Sequence, residues 1–395
     1  MKLDAAQMQR VADLLAEFDA IAGVSGDESR VADALERHLA PYCDRQYRDV
    51  LGNSVSVREG TDPARSIMVA AHMDEIGFMV SDVTERGYVT VVPVGMHNPT
   101  IIVNQALTIY TDGGPVPAVV GAGKPIHNTL GHEPTNFSFA DILLDVGATS
   151  PEEVRALGVR IGDFANIQKD SRILNKRFFS GKAVDNRASC VALIIMMEAL
   201  AQLQPAATVY ACGTVQEEIG VKGSEVLVRS LKPTDALCLD VGFGSDQGEL
   251  DVNATRIYAG QGPAIELIDY AAEGGHDIIV PKAVVRALEA AAQDAGIPVQ
   301  HQACLNCGTD ACVMAYANDG VVTGGLSIPQ KYLHTTIGLV AIEDVFHTGV
   351  LSAHYIKGLT SADSRHASAD PRHPGRSRHP GLDPGSLSST PSSRA

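Results

Sequence analysis

Seven ionisable residues of this chain stand where apolar runs end: His72 and Asp74 in VAAHMDEIG, Asp185 in SGKAVDNRAS, Glu217 and Glu218 in TVQEEIG, Asp240 in LCLDVG, and His334 in SIPQKYLH. A carboxylate that closes an apolar strand is costly to bury unless it is paired or bound to a metal. Residues two apart on a strand share a face, so His72 and Asp74 can act together, the carboxylate fixing the tautomer of a ligating imidazole. Adjacent carboxylates such as Glu217 and Glu218 repel unless a cation stands beside them. With a cation there, one can ligate while the other accepts a proton from activated water. Each feature also has an ordinary reading. HxD is commonly a structural pair, an acid at a helix start is favoured by the dipole, and a single histidine is more often a satisfied core or surface residue. Together they supply two imidazoles and three carboxylates as ligands, with one spare glutamate as a base. Two divalent ions would carry about +4 against −3 from Asp185, Glu218 and Asp240, a workable charge for a partly buried site. Donors of only N and O suit zinc or cobalt, with manganese also compatible.

The elements that must position these residues follow from the apolar periodicity. Asp4 to Ala22 has helical spacing, and Ser25 with Glu28 reads as a capping box opening a second helix through Leu39. From Val50 the pattern turns to strands, NSVSVRE and then SIMVAAHMD. Between about Gly77 and Phe178 lie short alternating strands (GYVTVVPV, ALTIYT, PVPAVVGA) broken by Gly, Pro and Asn, the pattern of a small inserted β-rich domain. Beyond Ser180 helices and strands alternate: a helix from Ala183, ATVYACGTV, DALCLDV, a helix from Pro281 to Ala295, IPVQHQA, VVTGGLSIP, and a last helix from Ile342 to Leu359. That alternation predicts an α/β fold with a mostly parallel mixed sheet flanked by helices. Ligands bind such sheets at the carboxyl ends of the strands. The division expected is 1–76 with 179–360 as one catalytic domain, 77–178 as the insertion, and 361–395 as a disordered low-complexity tail rich in Ser, Pro, Arg and Gly.

Composition narrows the function. The formal net charge of −16 argues against a nucleic-acid or anionic-membrane partner. The start of the chain shows no secretory leader, and the longest apolar run, Cys190 to Met197, is too short to span a bilayer, so the cytoplasm is the expected location. Seven cysteines, mostly in apolar runs, predict reduced buried thiols. Cys304 and Cys307 form a CxxC with Cys312 nearby, but a zinc ribbon would need a second pair. Gly242, Gly244 and Gly248 have GxGxxxG rather than dinucleotide-binding spacing, and GAGKP lacks the rest of a P-loop. Paired carboxylates also serve glycoside hydrolysis, yet the chain has no Trp and only 5% aromatic residues for stacking sugar rings.

The ordered set AHMDEIGFMV, SGKAVDNR, TVQEEIGVKGS, LCLDVG, CGTDA and SIPQKYLH resembles the glutamyl and tetrahedral (TET-type) aminopeptidase family of dinuclear metallopeptidases. The resemblance runs from about Asp19 to Leu359 and takes in GQGPAI and LGVRIGD. It implies a zinc-exopeptidase-like catalytic domain and removal of N-terminal residues from peptides. It also implies that Asp185 bridges two metals, His72 and Asp240 complete one site, and Glu218 and His334 complete the other. Glu217 would be the general base and Asp74 would orient His72. The insertion would be a dimerisation domain, and the dimer a building block extendable to a dodecamer. Three departures stand out: Lys331-Tyr332-Leu333-His334-Thr335 where the family has Arg-Tyr-Ile-His-Ser, Gly338 where a glutamate is common, and Cys307 where GGTDA has its first glycine. None removes a ligand.

Overall fold

The computed structural model describes residues 3–122, 138–246, 256–270, 277–305 and 307–360, so the 361–395 tail lies outside it. Four parallel strands form the centre of a sheet that has twelve strands among the described residues: Ala207–Thr214, Asp62–His72, Asp235–Phe243 and Val322–Lys331, in that order. Residues 67–72 and 235–242 are buried without interruption, which is why they read as unbroken apolar runs rather than alternating ones. Register brings the strand ends level: Thr214 pairs with His72, and Asp240 with Ser327. The helix Val184–Leu203 lies against this sheet and packs on Ile342–Lys357 and Ala5–Ala20. Its segment 190–197 is wholly buried, so the longest apolar run is a core helix. No described helix is long and apolar enough to cross a membrane.

The inserted segment closes into an antiparallel barrel of six strands: Gly77–Val83, Tyr88–Val94, Ile142–Asp145, Gly114–Ala122, Ala106–Thr111 and Phe164–Ile167. It has its own core, including Phe78, Val80, Val89, Leu107, Ile109 and Leu144, separate from that under the sheet. Barrel and sheet meet at Glu75, whose carboxylate takes hydrogen bonds from Asn166 of the barrel (3.1 Å) and from Lys182 (2.7 and 2.8 Å).

Two expectations are corrected. The second helix spans Ser29–Leu39, and no capping box opens it. The Ser25 hydroxyl instead donates to Asp74 (2.6 Å), and the Glu28 carboxylate accepts from the backbone N–H groups of Gly26 (2.7 Å) and Gln216 (3.1 Å). Long-range partners outcompete the local cap. Cys304 and Cys307, read as reduced thiols, are joined as a disulfide. Their Cα atoms lie 5.8 Å apart, within disulfide range. Cys43, Cys190, Cys212, Cys238 and Cys312 are free thiols, as expected.

Candidate metal centre

All seven residues meet at the carboxyl ends of the parallel strands. His72 is the last residue of its strand, and its Nε2 lies 3.1 Å from Asp185 Oδ1, 3.6 Å from Asp240 Oδ1 and 3.9 Å from Glu217 Oε2. His334 Nε2 lies 3.4 Å from Asp185 Oδ2 and 3.4 Å from Glu218 Oε2. Asp185 therefore turns one oxygen to each imidazole. Two groups, His72–Asp185–Asp240 and Asp185–Glu218–His334, could each hold a metal ion, their donor atoms lying within 4.8 Å of one another. The residues fit such ions on a further count: Glu218 Oε1 is buried with no hydrogen-bond partner among the described residues. Asp185 reaches this position because it and Asn186 have non-helical dihedrals at the head of their helix. Asn186 is anchored by its own amide, which donates to Leu239 O on the neighbouring strand (3.0 Å).

The Glu217–Glu218 loop is held by its backbone. Four successive N–H groups, of Val215, Gln216, Glu217 and Glu218, donate in turn to Asn53 Oδ1 (2.9 Å), Glu28 Oε1 (3.1 Å), Asp74 Oδ1 (3.1 Å) and Asp74 Oδ2 (3.1 Å). Gln216 sits at φ +56°, a conformation that this network maintains. Asp310, from CGTDA, accepts from Thr214 Oγ1 (2.6 Å) and Ser224 Oγ (2.5 Å), tying the strand before the loop to the helix after it. Asp74 thus serves the loop as well as His72, whose Nδ1 is 3.4 Å away. Ser25, Glu28, Asn53 and Asp310 were not singled out from the sequence as contributors to the site. Asp310 alone carried a signal, its place in the CGTDA phrase.

Electrostatics describe a site short of cations. Burial, together with the neighbouring acids, raises Glu217 well above the usual carboxylate range. Burial also pushes Glu218 up to about 8, with Asp185 adding to it, and Asp240 up to about 6. Burial alone would lower both histidines, but the carboxylates around them outweigh it. Asp240, Asp185 and Asp74 raise His72, and Asp185 and Glu218 raise His334 to about 9. In Asp185 the hydrogen bonds from His334 and His72 outweigh burial and lower the pKa.

The sequence profile of the M42 glutamyl aminopeptidase family matches residues 52–351. The chain belongs to the M42 family. A lysyl aminopeptidase of Pyrococcus furiosus is 31% identical over 345 residues, 86% of this chain and 95% of that protein. Among solved structures, aminopeptidase APDkam598 of the archaeon Desulfurococcus kamchatkensis superposes with a TM-score of 0.83 at 31% identity, covering 89% of this chain and 96% of that one. The TET1 peptidase of Pyrococcus horikoshii, described as assembling into a tetrahedron or a large octahedral shell, gives 0.79 at 28% identity, with 88% and 100% covered. A Thermotoga maritima protein described as an endoglucanase gives 0.68 at 30%, with 87% and 96% covered. As an M42 protein the chain is an aminopeptidase, and members of that family bind divalent metals.

Proposed function

We propose that the chain removes single N-terminal residues from peptides at a centre of two divalent cations, zinc or cobalt, with manganese also compatible. The observation that carries this reading is the pair of acid–imidazole groups sharing Asp185, one oxygen to each side. His72 and Asp240 would hold one ion, His334 and Glu218 the other, and Asp185 both. Bound there, the ions supply positive charge that polarises a carbonyl and acidifies water. Glu217 is the base: its carboxylate takes a proton from the attacking water and returns it to the leaving amine. Asp74 orients His72 and fixes the loop that presents Glu217. A free N-terminal amine would bind beside the ions and the acidic side chains, which would account for cleavage one residue at a time.

The same reading makes the protein a cytoplasmic homo-oligomer whose barrel forms the dimer contact, with a dodecamer as the larger assembly. It rests on the resemblance and on the assembly described for the P. horikoshii relative. The endoglucanase description is not carried over. Two carboxylates suffice for glycoside hydrolysis, and nothing in that chemistry calls for imidazoles on either side of a shared acid. The test is a panel of aminoacyl-anilides assayed with metal-depleted protein reconstituted with zinc, cobalt or manganese, beside carboxymethylcellulose. Metal-dependent release of anilide is expected. Activity on cellulose alone, or on neither substrate, would sink the proposal.

A further inference from the structure

The barrel lies directly on the centre. After the strand Tyr88–Val94 the chain turns at Gly95, φ +80°, where an added Cβ would sit 3.5 Å from Glu218 Cβ and 2.6 Å from Ile76 Cγ2. The approach to Ile76 and the positive φ call for a residue without a side chain here, and the loop then passes within ordinary contact of Glu218. Two residues on, His97 stacks on Phe78 with ring centroids 4.4 Å apart and meets Phe139 edge-on at 6.4 Å. These aromatics fix the ring's direction. Its Nε2 is buried with no hydrogen-bond partner among the described residues.

His97, His334, Thr335 and Thr336 share the lining of one narrow cavity of about 10 Å³, room for one small polar group. Glu75 and Lys182, also on its wall, are engaged with each other. Burial holds the His97 pKa down to about 4, with His334 acting in the same sense, so the ring is neutral near pH 7. A neutral imidazole has one N–H; with that proton on Nδ1, Nε2 offers its lone pair.

We propose that His97 is a substrate-contacting residue contributed by the barrel, its Nε2 accepting a hydrogen bond from a backbone N–H of the peptide lying beside His334 and Glu218. This rests on the aminopeptidase reading. The insertion is then part of the binding site and not only a platform for assembly.

The experiment uses the full-length, metal-loaded protein with trileucine as substrate. His97→Phe keeps the stack on Phe78 and removes the nitrogen; His97→Gln restores an acceptor at the same reach. Expected is a KM about tenfold higher for H97F, with kcat and bound metal little changed, and recovery of most of the loss in H97Q. Equal KM in H97F and wild type, or H97Q no better than H97F, would overturn the proposal. Should H97F fail to fold, H97Q against His97→Leu carries the same comparison. Calorimetric titration with a trileucine analogue whose first peptide bond is reduced reads the contact without turnover. If wild type binds the analogue but hydrolyses nothing, the aminopeptidase reading fails alone; if H97F binds it as tightly as wild type, the His97 contact fails alone.

Discussion

His72 and Asp240 sit on adjacent central strands, 2% and 5% exposed, whereas Glu218 and His334 belong to segments beyond the strand ends. The His334 side chain keeps 22% exposure and its backbone has φ +54°. The first pair is placed by strand register, which a one-residue slip would destroy along with the whole core. The second is placed by polar contacts, four backbone hydrogen bonds for the Glu217–Glu218 loop and a turn for His334. A site built this way has one half as rigid as the sheet and one half that can be loosened by single side-chain changes.

The sharpest separation of chemistry from placement is Glu217→Gln. It should cut kcat about 10³-fold while both ions stay bound, as elemental analysis beside anilide kinetics would register. Retained turnover would remove Glu217 as the base. Next, the two histidines should differ. His72→Ala leaves buried carboxylates facing one another and should cost the metal-free protein about 3 kcal/mol, read by denaturant titration. His334→Ala, partly exposed, should cost about 1 kcal/mol and leave one equivalent of metal in place. Equal losses would erase the distinction between the halves. Smaller again, Glu28→Ala frees the Gln216 N–H and should lower kcat about tenfold with metal content intact.

The smallest effect is on pH dependence. Glu218 and Asp240 are raised to about 8 and 6, and His334 to about 9, so the metal-free folded state holds more protons than the unfolded one between about pH 4 and pH 9. Its stability therefore falls as pH rises through that window. Bound cations stand in for those protons, so melting curves of the loaded protein should be flatter across the same range. A metal-free protein that grows more stable toward pH 9 would contradict these shifts.

The residues of the cluster were legible because each stands at or shortly after the end of an apolar run or at a helix start, a signal carried by neighbours in the chain. The residues that hold the loop were not. Ser25 and Glu28 have the spacing of a helix cap, and nothing local distinguishes that from hydrogen bonds to Asp74 and Gln216, far away in sequence. Asn53 lies in an ordinary turn whose amide reaches Val215. The parallel strands and the inserted β-rich unit followed from their two kinds of apolar pattern, whereas the closure of that unit into a barrel did not. The short strands at the sheet's side did not: Arg172–Leu174 is exposed throughout, and its pairing with Phe178–Gly181 leaves no periodic trace. The Cys304–Cys307 link escaped because spacing alone does not say whether two such thiols come within bonding distance.

The first and last strands of the barrel pair with each other, Phe78 opposite Ala165 and Met79 opposite Phe164. The excursion thus delivers the chain back almost where it departed, and the entropy of closing it is met by the barrel's own hydrogen bonds. During synthesis the chain emerges from its N-terminus onward. The barrel can be complete before Asp185 leaves the ribosome, whereas His72 gains its place only when the later strands Ala207–Thr214 and Asp235–Phe243 pair with its own.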